Sequence, residues 1–150
     1  MILGGPVIVL SLARLADALY FTFAYYGRVR KSCWVPAVFY VREGPSCVAV
    51  VRTTYGSVFG VPNSLLGIVY YVLLLVWALT WHSAISGSRV GLIILSTRFT
   101  DILIASGATT VALGFYLIFA LRRILYTDCP WCYAAHGINL ALLALLVVAR

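Results

Sequence analysis

Residues 62–81 read PNSLLGIVYYVLLLVWALTW. From Leu65 onward the stretch holds no charged side chain. At a rise of about 1.5 Å per residue, twenty such residues cover about 30 Å, the hydrocarbon thickness of a bilayer. A helix closes its own backbone hydrogen bonds, which a segment surrounded by lipid requires. The polar–apolar alternation of a lipid-facing barrel strand is absent. The stretch therefore reads as a membrane-spanning helix.

Three further stretches read the same way: Pro6–Tyr26, about Phe99–Leu121 closed by Arg122 and Arg123, and Pro130–Ala149. The chain has 150 residues, of which 63% are hydrophobic and 10% charged. A soluble domain is roughly a quarter charged, and a chain this short leaves too much surface that must be polar in water. The expectation is an all-α polytopic membrane protein: one four-helix domain over residues 1–150. The first span lacks the basic start and the small-residue cleavage site of a removable signal. The net charge of +7 is carried by basic residues at the ends of apolar runs, where they anchor and orient spans. Nucleic acid is not an expected partner; membrane lipid is.

The 27–61 connection carries Arg28, Arg30, Lys31, Arg42, Glu43 and Arg52. Within it, SCVAVVRTTYGSVFG (46–60) places Val48, Val51, Tyr55 and Phe59 at near-helical spacing, which predicts a short helix at the interface. In the 82–98 connection, VGLIILS (90–96) is too short to span and reads as interfacial. Inside the first span, Arg14 and Asp17 lie three residues apart and so share a helical face. They read either as a structural ion pair turned into the bundle or as part of a proton route.

With four spans, the 27–61 loop and the 122–129 turn share one side of the membrane. All four cysteines, Cys33, Cys47, Cys129 and Cys132, then fall on that side, and the two pairs can meet. Cys129 and Cys132 open the fourth span in TDCPWCYAAHG (127–137). Asp128 or Cys129 can cap this helix, and Pro130 suits its first position. A Cys-x-x-Cys pair at a helix start favours thiolate and hence thiol–disulfide exchange. A zinc site and two static disulfides are the alternatives, and neither accounts for Cys132 lying inside a lipid-embedded helix. No haem, flavin or iron–sulfur motif is present, so the expected electron acceptor is a lipid-soluble quinone, with no metal. His136 lies one turn below Cys132 on the same face and can hydrogen-bond a quinone oxygen or relay a proton; packing between helices is its plainer role. Asn63 can donate to a quinone carbonyl or simply cap its helix.

In this order the residues resemble the vitamin K epoxide reductase family. The likeness rests on loop cysteines Cys33 and Cys47, the hydroxyl of Thr53 shortly after, NSLLG opening the second span and CPWC opening the fourth. It runs over nearly the whole chain. The bacterial DsbB family orders its cysteine pairs the other way. The resemblance implies a four-helix bundle around a quinone, with Cys132 against the quinone, Cys129 exchanging with Cys47, and Cys33–Cys47 as the shuttle disulfide. It also implies quinone-binding roles for Asn63, Thr53 and His136. Family members usually carry Ser where Thr53 stands, the animal enzymes carry Tyr at His136, and the loop cysteines lie further apart here than is usual. Bacterial relatives often carry a fused thioredoxin-like domain; here the expected donor is a separate thioredoxin-like protein. The expected activity is quinone-dependent disulfide formation. The alternatives are the reverse, quinol-driven reduction of disulfides or of a vitamin K epoxide-type substrate, and a metal-binding or structural membrane protein.

Orientation follows from charge. The cysteine side carries Arg28, Arg30, Lys31, Arg42, Arg52, Arg122 and Arg123; the other carries Arg89, Arg98 and Arg150. The positive-inside rule turns the cysteines to the cytoplasm; the alternative is the extracytoplasmic side, the one faced by relatives that supply disulfides to secreted proteins. Disulfide formation on that side fits a hyperthermophile, whose intracellular proteins are disulfide-rich. Gln is absent and Asn occurs only at Asn63 and Asn139, in keeping with a thermophilic source.

Overall fold

The computed structural model describes residues 4–28, 53–58, 60–86, 90–126 and 129–150. Four α-helices make up nearly all of this: α1 Gly4–Tyr25, α2 Asn63–Ser86, α3 Val90–Arg123 and α4 Pro130–Ala149. Each contains a stretch long and apolar enough to cross a membrane. Their apolar side chains point outward as well as inward: Val9, Phe23, Val69, Leu79, Ile102, Phe115 and Val148 are all exposed. That pattern suits lipid, not water, as the surrounding solvent. The protein is a multi-pass membrane helix bundle.

Local chemistry sets where the helices start and stop. Helix α1 tolerates Pro6 because its first turn needs no amide donors. It ends in a Schellman turn: Gly27 takes φ 74°, its N–H bonds the Ala24 carbonyl at 3.1 Å, and the Arg28 N–H bonds the Phe23 carbonyl at 2.9 Å. Helix α4 begins where expected, with Pro130 in its first turn and Cys129 as cap. Helix α3 differs from expectation. Residues 90–96, read as a separate interfacial segment, form its first turns, so the helix starts at Val90 and not near Phe99. Nothing in VGLIILSTRF breaks a helix, and the apolar run continues into the span.

Of the stretch 46–60 expected to hold an interfacial helix, residues 46–52 and 59 lie outside those described. Its final part is not regular α-helix. Thr54–Gly56 make one 3-10 turn, followed by strands β1 Ser57–Val58 and β2 Val61–Pro62, paired antiparallel with Ser57 opposite Pro62. Gly60 turns the chain between them at φ 80°, a conformation open to glycine. Tight β-pairing from Ser57 ends the helical spacing that Val48, Val51 and Tyr55 suggest.

The helices form a ring in which each neighbour is adjacent in sequence or closes the circle. Helix α1 packs most extensively on α2, and α3 on α4; the α2–α3 and α1–α4 seams are slighter. Val7, Ala18, Tyr71, Leu74, Trp77, Leu103, Leu142 and Leu146 form the buried core. In lipid the hydrophobic effect does not hold helices together, so close packing and polar bonds must. Small residues serve the first: a Cβ at Gly67 would stand 3.7 Å from the Ala18 Cβ, which shows how near α1 and α2 lie. Polar bonds serve the second. The Thr22 and Ser64 hydroxyls lie 2.9 Å apart, and Trp77 Nε1 donates to Thr100 Oγ1 at 2.8 Å. We expect Trp77→Phe, which removes this link between α2 and α3, to lower unfolding stability by about 1 kcal/mol, measured by titration with denaturing detergent.

Candidate redox site at a membrane cavity

The site begins with the first turn of α4. Cys129 is fully buried, packed against Phe21 of α1 and against Cys132. The two sulfurs form a disulfide. Cys129 Sγ also accepts from the Cys132 backbone N–H at 3.3 Å, so the sulfur serves as the helix cap. Just past the pair, Arg122 at the end of α3 lies 5.1 Å over the Tyr133 ring and donates from Nε to the Tyr133 hydroxyl at 3.2 Å. The CPWC turn is thereby fastened to α1 on one side and α3 on the other.

Below it lies a cavity of about 210 Å³ that all four helices line. Cys132 is on its wall, as are His136 and Asn139, so one face of α4 presents sulfur, imidazole and carboxamide in succession. Ala18, Phe21, Leu66, Leu113, Leu117 and Leu121 make the apolar part of the lining. His136 packs on Gly114 of α3: a Cβ there would lie 2.6 Å from Nδ1. Nδ1 of His136 is buried and has no hydrogen-bond partner among the described residues. At the other wall, Asn63 donates from Nδ2 to the Tyr55 carbonyl at 3.2 Å, while its Oδ1 is buried without a partner among the described residues. That bond fixes the 3-10 turn over the mouth of the cavity. Thr53 is not on the cavity wall. Its carbonyl accepts from the Gly56 N–H at 2.9 Å, and Gly56 is the turn residue that reaches the lining.

Arg14 and Asp17 also line the cavity. Arg14 is buried and pairs with Asp17 through Nη1. Its Nε donates to Asn139 Oδ1 at 3.0 Å and to the Tyr71 hydroxyl at 3.2 Å, which in turn donates to Asn139 at 2.6 Å. Asp17 accepts through its other oxygen from Trp131 Nε1 at 2.5 Å. An intramembrane ion pair is thus tied to a residue between the two cysteines. Cys33 and Cys47 lie outside the described residues.

The model of the Vitamin K epoxide reductase family matches residues 6–147. The chain belongs to the vitamin K epoxide reductase family. No curated protein matches the chain. Family membership makes the protein a membrane oxidoreductase of disulfide and quinone chemistry, and the cavity can be asked whether it suits a quinone. It does. Its volume is below the roughly 300–1,000 Å³ of pockets that enclose whole drug-sized ligands, which suits a ring held inside with its tail left in the bilayer. Its walls are mostly apolar, and two groups that can donate to a carbonyl face each other across it: the second Nδ2 N–H of Asn63, beside the one that bonds Tyr55, and the His136 ring, whose Nδ1 is unmatched among the described residues.

Sequence reasoning finds Cys132, Asn63, His136 and the Arg14–Asp17 pair, all of which the fold brings to one cavity. It misses Asn139, Tyr71, Trp131 and Gly114. Asn139 carried a usable signal: it is three residues beyond His136 and seven beyond Cys132, on the same face of an otherwise apolar helix. Tyr71 carried none, being one aromatic among many.

A testable consequence concerns Gly114. Gly114→Ala forces the imidazole to move into the cavity. We expect the KM for ubiquinone-1 to rise about fivefold to tenfold, the cost of modest overpacking, measured by steady-state quinone reduction.

Proposed function

We propose that the protein is a quinone-dependent, disulfide-forming oxidoreductase, one four-helix domain in the cell membrane. The observation that carries this reading is Cys132, one half of a disulfide at the start of α4, on the wall of an apolar cavity within the bundle. A thioredoxin-like partner with a reduced dithiol attacks the Cys33–Cys47 disulfide and leaves oxidised. The Cys47 thiolate then attacks Cys129 and expels Cys132 as thiolate into the cavity, and the Cys33 thiolate attacks Cys47, restoring Cys33–Cys47 and releasing Cys129. Reoxidation of the Cys129–Cys132 dithiol to its disulfide gives up two electrons and two protons, which a bound quinone would accept. Asn63 and His136 hold its oxygen nearer the cysteines, the N–H of Asn63 not used by Tyr55 being available for this. Thr53 sets the turn that covers the cavity. His136 passes protons between the thiols and the ligand oxygens, and the apolar walls keep bulk water from the sulfur.

Seven basic residues on the cysteine side against three on the other support a cytoplasmic site by the positive-inside rule. After reduction with a membrane-permeant thiol, labelling of Cys33 by an impermeant maleimide only once cells are opened is the expected result.

The deciding experiment uses purified protein, a reduced thioredoxin-like donor and ubiquinone-1. Expected is oxidation of the donor, one equivalent per quinone consumed. Donor oxidation that does not depend on added quinone would remove the proposal.

A further inference from the structure

Arg14 has more donors than its partners use. Nε serves Asn139 and Tyr71, and Nη1 serves Asp17. Nη2 has no hydrogen-bond partner among the described residues, and the residue lines the cavity. A guanidinium inside a membrane is costly and is retained where it meets a polar ligand or a water-filled space. Its rigid fork is also fixed from three helices: Asp17 on α1, Tyr71 on α2 and Asn139 on α4. Tyr71 stands eight residues, about 12 Å, below Asn63 along α2. The cavity therefore has polar groups at its cysteine end, in Asn63 and His136, and a fixed cation toward the middle of the membrane.

We propose that Arg14 is the inner anchor of the ligand, donating from Nη2 to the carbonyl oxygen furthest from the cysteines. This rests on the thiol–quinone reading above and deepens it. A ring with acceptors at opposite ends, a para-quinone, meets donors at both; a ring with one carbonyl leaves either Arg14 or Asn63 unmatched. Asp17, clamped by Trp131, is a positioning residue that sets the direction of the fork.

The test measures binding, not turnover. Fully oxidised protein does not react with an oxidised quinone, so ubiquinone-1 can be titrated to equilibrium by quenching of tryptophan fluorescence. Arg14→Gln/Asp17→Asn removes both charges together and keeps an amide donor for Asn139 and an oxygen for Trp131. It is expected to bind ubiquinone-1 about tenfold to a hundredfold more weakly, the worth of a charged hydrogen bond. Arg14→Lys keeps the charge but not the fork, and its affinity is expected to fall between the two. Should the double variant fail to fold, Arg14→Lys decides alone: affinity equal to wild type overturns the anchor. Wild-type affinity in the folded double variant overturns it as well, while leaving the thiol–quinone reading intact. Wild-type protein that binds neither ubiquinone-1 nor menadione sinks that reading, and the anchor with it.

Discussion

Cys132→Ser is expected to abolish quinone-linked turnover, bringing donor oxidation down to the uncatalysed rate. The reason is geometric. Of the two cysteines among the described residues, Cys132 lines the cavity, whereas Cys129 is fully buried against Phe21. A hydroxyl in place of the thiol cannot form a disulfide and is a poor nucleophile at neutral pH. The same variant has a positive signature. Cys129 loses its neighbour, so its thiolate is free to attack Cys47 of the Cys33–Cys47 disulfide, forming Cys47–Cys129 and expelling Cys33 as thiolate with no net oxidation. Non-reducing peptide mapping of the oxidised variant, before any exposure to donor, would detect it. Binding of ubiquinone-1 should persist, because the apolar walls, Asn63 and Arg14 are untouched. Full turnover in this variant would mean that electrons leave by another route.

Arg14→Met is expected to produce the largest loss of stability of any single change at the site, about 3–5 kcal/mol. Methionine fills similar space but leaves the Asp17 carboxylate buried beside an apolar chain. Asn139 Oδ1 also loses its charged donor. The expected cost exceeds that of the lost hydrogen bonds, because an unpaired charge in a low-dielectric interior is the dominant penalty. Arg14→Gln/Asp17→Asn, which removes the charges as a pair, should cost much less. Unfolding both variants with sodium dodecyl sulfate in mixed micelles gives the comparison. Equal stability of Arg14→Met and wild type would show that Asp17 does not depend on the guanidinium.

The fold was readable because apolar length is a strong signal. The second and fourth spans run from the residues where their composition changes, and at α4 the capping signals of Cys129 and Pro130 mark the start. The third span is blurred because no breaker separates 90–96 from the residues after Ser96, so a segment that reads as interfacial on its own length continues into the span as helix. The turn at 53–58 is set by strand pairing across Gly60, a contact that period alone does not reveal. At the site, residues that differ chemically from their surroundings were legible: Cys132 and His136 on an apolar helix, Arg14 and Asp17 in an apolar span. Partners defined by distance between helices were not. That Asp17 holds Trp131, or that Gly114 makes room for His136, depends on how four cylinders dock.

The unequal seams of the bundle have a consequence for how a greasy molecule finds the sulfur. The α1–α4 seam is stitched by Arg14 to Asn139 and Asp17 to Trp131. The α2–α3 seam has its cross-links at Tyr70 to Leu103 and Trp77 to Thr100. Above Tyr70, toward the cysteine end, both helices line the cavity. Leu66 and Leu113 stand there on its wall and are 47% and 38% exposed. A lipid-dissolved reactant would thus arrive by diffusion in the plane of the bilayer, sliding in between two leucines, while the protein donor docks from water. The two substrates would then approach along perpendicular paths, and neither would have to wait for the other to leave.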